Sequence, residues 1–145
     1  MSESLYRPVQ IGRREFVARS SVGLGALLIA ACQGVDTSPL SGSVVVPLAN
    51  HPALANIGGI VRVTETSSPV ALERTGASTF VAYSLVCPHE GSTVNVTSST
   101  SVPFLCPNHG AQFNASGANV GGQRTGSLHT YTTSYDAATN SVTIS

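Results

Sequence analysis

Cys87-Pro88-His89-Glu90-Gly91 and Cys106-Pro107-Asn108-His109-Gly110-Ala111-Gln112-Phe113 carry the same order of residues: a cysteine, a proline, a histidine within three positions, and a closing glycine. Sixteen residues, 90–105, separate the first histidine from the second cysteine, which is the length of a strand, a turn and a returning strand. Two matched loops can therefore meet at one end of a sheet. Working outward, residues 79–86, 93–97 and 102–105 are β-branched or alternating runs, as are 44–46, 59–64, 70–73, 128–135 and 141–144. Gly, Pro or Ser separates them, so all read as strands. Residues 136–140, Asp-Ala-Ala-Thr-Asn, suit the turn of a terminal hairpin, and 98–101 is a polar insert expected to form a solvated turn. The pattern predicts an all-β fold.

Composition agrees. The chain is rich in Ser, Thr, Val, Ala and Gly and poor in good helix formers. Its 145 residues, 41% of them hydrophobic, suffice for one ordinary domain with its own core. Only 10% are charged, and every basic residue is Arg. With no Lys to build a polybasic surface, nucleic-acid binding is not expected.

One thiolate and one neutral imidazole from each loop make a set of two sulfurs and two nitrogens, which suits zinc or an iron–sulfur centre. The flanking glycines, Gly91 and Gly110, let backbone approach closely and aim N–H groups at sulfur. The plain alternative is two incidental Cys-His pairs. His51, before Pro52, reads as a loop residue and His129 as a strand residue, while Tyr83, Tyr131 and Tyr135 read as packing residues.

The third cysteine, Cys32, needs another account, because an odd thiol in an exported chain is unexpected. Arg13-Arg14-Glu15-Phe16-Val17 precedes an apolar stretch, 22–31, that is too short to span a bilayer comfortably. Gly12-Arg13-Arg14-Glu15-Phe16-Val17 resembles a twin-arginine export signal, departing from it at Gly12 and Ala18, where Ser or Thr and Lys are frequent. Leu28-Ile29-Ala30-Ala31-Cys32 resembles a bacterial lipoprotein box, which implies lipidation of Cys32. The expected organisation is a signal peptide at 1–31, a polar tether at 32–43 and one domain at 44–145. A basic amphipathic helix packed on the domain, an uncleaved anchor and an ordinary soluble export product are the alternatives.

The two loops together resemble the Rieske family, whose pattern is C-x-H, a spacer of this length, then C-x-x-H followed by Gly and an aromatic residue. The resemblance extends loosely over 44–144. It implies a Rieske-type antiparallel β-sandwich with a small cluster-binding subdomain. It also implies one 2Fe-2S cluster, with Cys87 and Cys106 on one iron and His89 and His109 on the other. Gly91, Ser92, Asn108, Gly110, Ala111 and Phe113 would surround these four, with the histidines at an exposed tip. Quinol-oxidising members usually carry a disulfide at the positions of Ser92 and Asn108, and a Ser and a Tyr at those of Ala111 and Phe113. Two hydroxyl donors to cluster sulfur are thus missing, which implies a lower reduction potential. Gly121-Gly122-Gln123-Arg124 replaces a Pro-containing loop and is expected to be looser.

The implied function is electron transfer by a carrier on the outer, periplasmic side of a bacterial cytoplasmic membrane, tethered through Cys32 and serving redox protein partners of the envelope. The alternatives are the small subunit of an envelope oxidoreductase, arsenite-oxidase-like or bc-type, and a zinc-stabilised binding module.

Overall fold

The run Val70-Ala71-Leu72 is apolar without alternation, which marks a strand buried on both faces. The computed structural model describes residues 39–145 and shows why. The expected signal peptide 1–31, Cys32 and most of the tether 32–43 lie outside the described residues. Eleven strands follow in order: β1 (Val44–Pro47), β2 (Ile60–Arg62), β3 (Val70–Arg74), β4 (Phe80–Ser84), β5 (Asn95–Val96), β6 (Phe104–Leu105), β7 (Gln112–Phe113), β8 (Asn119–Gly121), β9 (Thr130–Tyr131), β10 (Thr133–Asp136) and β11 (Ser141–Ile144). Two 3-10 turns, Leu48–Asn50 and Pro52–Ala55, lie between β1 and β2. Among the described residues there is no α-helix.

The strands form three antiparallel sheets, β1-β11-β10, β2-β3-β4-β9 and β5-β6-β7-β8. Successive side chains of a strand point to opposite faces, and β3 and β4 use both. Val70, Leu72, Phe80 and Ala82 face the first sheet and pack with Val46, Val142 and Ile144. Ala71 and Tyr83, directly paired across the ladder, face the third sheet and pack with Leu85, Cys87, Val94, Phe104, Cys106 and Phe113. The first core closes the sandwich and the second carries the smaller subdomain. Tyr83 lies 5.3 Å from Phe104 and Phe80 lies 5.4 Å from Tyr135, ring centre to ring centre, so these tyrosines are packing residues.

The run 128–135 is not one strand. Thr130–Tyr131 pairs with β4, Thr133–Asp136 pairs with β11, and Thr132 exchanges backbone hydrogen bonds with Ser145 at 2.9 and 3.0 Å. The chain changes sheet there, as strands do at the corner of a sandwich. His129 falls outside the strand and is exposed. His51 sits between the two 3-10 turns, buried, with Nε2 2.9 Å from Glu65 Oε1.

Glu73 is the exception on the second face of β3. It is buried, and among the described residues nothing hydrogen-bonds its Oε2. Burial pushes its carboxyl above the usual range, while the Tyr83 hydroxyl pulls the other way. Tyr83 is pushed up to about 12, first by burial and then by the Glu73 charge. A carboxyl raised in the folded state is neutral in both states at low pH, and it costs stability progressively as pH rises from its unfolded value to its folded value, beyond which the full cost is present. Glu73→Gln is therefore expected to stabilise the fold by about 1 kcal/mol near pH 7 and to be neutral below about pH 4. Thermal unfolding across that range checks this, and a loss of stability near neutrality would contradict it.

Candidate metal centre

Both cysteine loops are tips of hairpins, and the hydrogen bonds that close them correspond. In the first, the Gly91 N–H donates to the Cys87 carbonyl at 2.8 Å and the Cys87 N–H donates to the Ser92 carbonyl at 2.8 Å. In the second, the Gly110 N–H donates to the Cys106 carbonyl at 3.1 Å and the Cys106 N–H to the Ala111 carbonyl at 2.9 Å. Val86 bridges Thr93 below the first tip and Leu105 pairs with Gln112 below the second. The fifth position of each turn needs a left-handed backbone, and Gly91 and Gly110 supply it with φ of +73° and +69°. The histidines do not correspond: His89 holds the third position of its turn and His109 the fourth, where the other turns have Asn108 and Glu90.

Cys87 and Cys106 begin the turns, each 2% exposed and not joined to another cysteine. Burial pushes the Cys87 thiol up; the backbone N–H groups of His89 and Glu90 favour its thiolate, and the neighbouring Cys106 thiol disfavours it. At the outer edge, the rings of His89 and His109 stand 4.9 Å apart and nearly perpendicular. Glu90 Oε2 lies 3.7 Å from His109 Nδ1, and ligand atoms of His89, Glu90 and His109 all fall within 4.8 Å of one another. The structure thus brings the four candidate ligands to one end, two sulfurs inside and two imidazoles outside. The two thiols are adjacent and buried, Cys87 resists ionisation, a cation would stabilise the pair as thiolates, and backbone N–H groups already point at the Cys87 sulfur. The donor set fits an iron–sulfur group.

Ala111 and Phe113 are buried in the core that contains both cysteines. Ser92 and Asn108 also meet: the Asn108 Nδ2 donates to the Ser92 Oγ at 2.6 Å. That hydrogen bond was not legible in the sequence. Nor was the seating of the 121–124 loop, which the structure pins where a looser segment was expected. The Asn119 amide lies 3.1–3.2 Å from the carbonyls of Gln112, Gly121 and Gln123, and Gly122 rests on the backbone of Gly110 and Ala111. The paired glycines 121 and 122 are the signal that could have pointed to this close approach.

The family model described as Rieske [2Fe-2S] domain matches residues 45–132. No curated relative matches the chain. Among solved structures, the cyanobacterial plasma membrane Rieske protein PetC3 from Synechocystis PCC 6803 is 26% identical with a TM-score of 0.54, over 72% of this chain and 99% of that one. The quaternary ammonium Rieske monooxygenase CntA is 18% identical with a TM-score of 0.52, over 70% of this chain and 30% of that one. The second likeness is one of fold alone.

Proposed function

Because the chain belongs to the Rieske 2Fe-2S domain family, an iron–sulfur electron-transfer role follows, and we propose that it holds one cluster on Cys87, Cys106, His89 and His109 as an electron carrier of the cell envelope. The observation that carries the assignment is the division of the four side chains, with both thiols buried and the two imidazoles side by side at one tip, His109 exposed and His89 half-buried. When bound, the cluster supplies a one-electron couple whose potential is raised by imidazole ligation relative to all-cysteine clusters. The residues do the rest. Cys87 and Cys106 keep water from the sulfur side, and the N–H groups of His89 and Glu90 stabilise thiolate charge at Cys87. His89 and His109 form the edge that a redox partner would touch.

The envelope location is supported by the twin-arginine-like run 12–17 and the lipoprotein-box-like run 28–32. The Synechocystis relative, a plasma membrane protein, is consistent with it. On this reading Cys32 tethers the domain to the outer face of the cytoplasmic membrane, where its partners are other redox proteins.

The test is an EPR-monitored redox titration of the full chain recovered from membranes. The expected result is a reduced 2Fe-2S signal with nitrogen ligation and a midpoint in the lower part of the roughly −150 to +300 mV Rieske range. Zinc without sulfide would overturn the cluster, a midpoint at the upper end would overturn the missing-donor argument, and recovery only from the soluble fraction would overturn the tether.

A further inference from the structure

Asn108 and Ser92 lie sixteen residues apart on different turns, and their side chains are joined at 2.6 Å. Among the described residues this is the one side-chain hydrogen bond between the 87–92 and 106–111 turns that engages no candidate ligand; the Cys87 and Cys106 thiols also interact, and Glu90 approaches His109 at 3.7 Å. Each turn closes on itself through its own backbone hydrogen bonds, so those bonds hold neither turn against the other. The cysteines are free of any cross-link. The next ladder contacts joining the two hairpins lie further down, where Asn95 pairs with Leu105 and Val96 with Phe104.

We propose that the Asn108–Ser92 pair is a latch that holds the two ligand turns in register, and so sets how long the chain retains its cluster. The inference rests on the ligand assignment above. Asn108 and Ser92 are positioning residues: they touch no reacting atom, and they act by fixing the separation of the segments that carry Cys87 with His89 and Cys106 with His109. The amide suits the task because it donates without charge, leaving the electrostatics of the neighbouring imidazoles unaltered. The geometry also makes the latch indifferent to thiol reductants, since nothing in it can be reduced.

Ser92→Ala, Asn108→Ala, the double variant and Ser92→Thr test this, each as the full chain. Two measurements are made: the rate of cluster loss to a chelator, with the EPR line shape, and amide hydrogen exchange of the metal-free protein. One net hydrogen bond, partly in competition with water, corresponds to roughly a three-fold change in such a rate. Both single variants and the double are expected to lose the cluster roughly three-fold faster and to broaden the EPR lines, with the double no worse than either single. Ser92→Thr, which keeps the hydroxyl, should match the parent. In the metal-free protein, exchange at Gly91 and Gly110 should speed by a similar factor while the thermal midpoint of the sandwich stays put. Effects of the singles that add in the double, or exchange unchanged in both, would overturn the latch. A parent chain that shows no cluster signal would overturn the ligand assignment instead, and the exchange measurement would still decide the latch.

Discussion

Gly122→Ala is expected to cost roughly 3 kcal/mol and to lower the thermal midpoint by on the order of 10–15 °C. Two effects add. Gly122 has φ of +65°, where an alanine pays about 1–2 kcal/mol. A Cβ there would also overlap the Gly110 carbonyl oxygen and press on the Ala111 nitrogen, and forcing such groups apart costs roughly 1–3 kcal/mol. The displaced group is the backbone of the second ligand turn, so cluster uptake should fall along with stability. Gly58→Ala is the control: its φ is +84° but a Cβ there meets nothing within 4 Å. It should lose only about 1 kcal/mol and leave uptake intact. Calorimetry and iron content of the two variants make the comparison, and equal losses would mean that backbone conformation alone, and not the close approach to Gly110, demands glycine at 122.

Ala111→Ser with Phe113→Tyr is expected to raise the midpoint potential by roughly 90 mV. Hydroxyls donated to cluster sulfur favour the more negative, reduced state. If each favours it by about 1 kcal/mol, two give about 2 kcal/mol, and a one-electron couple moves about 59 mV per tenfold change in equilibrium. Both positions are almost fully buried in the core shared with Cys87 and Cys106. In the metal-free chain the new hydroxyls lack that acceptor, and each should destabilise by about 1–3 kcal/mol. A raised potential in the loaded protein with a weakened metal-free fold is the combined expectation. An unchanged potential would show that these side chains do not reach the sulfur atoms.

Much of the fold was legible because the information is local. A cysteine, a histidine and a glycine within five residues define a hairpin tip whichever sheet carries it, and period-two runs on either side announce the strands. The short strands Gln112–Phe113 and Asn119–Gly121 were not read out. The first was taken as the flank of the second motif, and the second is too short and glycine-rich to show a period. The double burial of Val70–Arg74 and Phe80–Ser84 was visible only as missing alternation, since which sheet covers each face is a long-range fact.

The candidate site divides in the same way. The amino-acid sequence by itself determined an all-β framework with two Cys-His turns whose residue types suit a metal–sulfur group, because each turn closes through hydrogen bonds between residues four and five apart. Only the tertiary structure decided that both thiols are buried in the second core, that Asn108 reaches Ser92, that Gly122 sits on Gly110 and that Glu73 is buried without a full set of partners. These depend on how three sheets stack. That packing is set by two separate apolar cores whose members come from across residues 46–144, so no short window of sequence contains it.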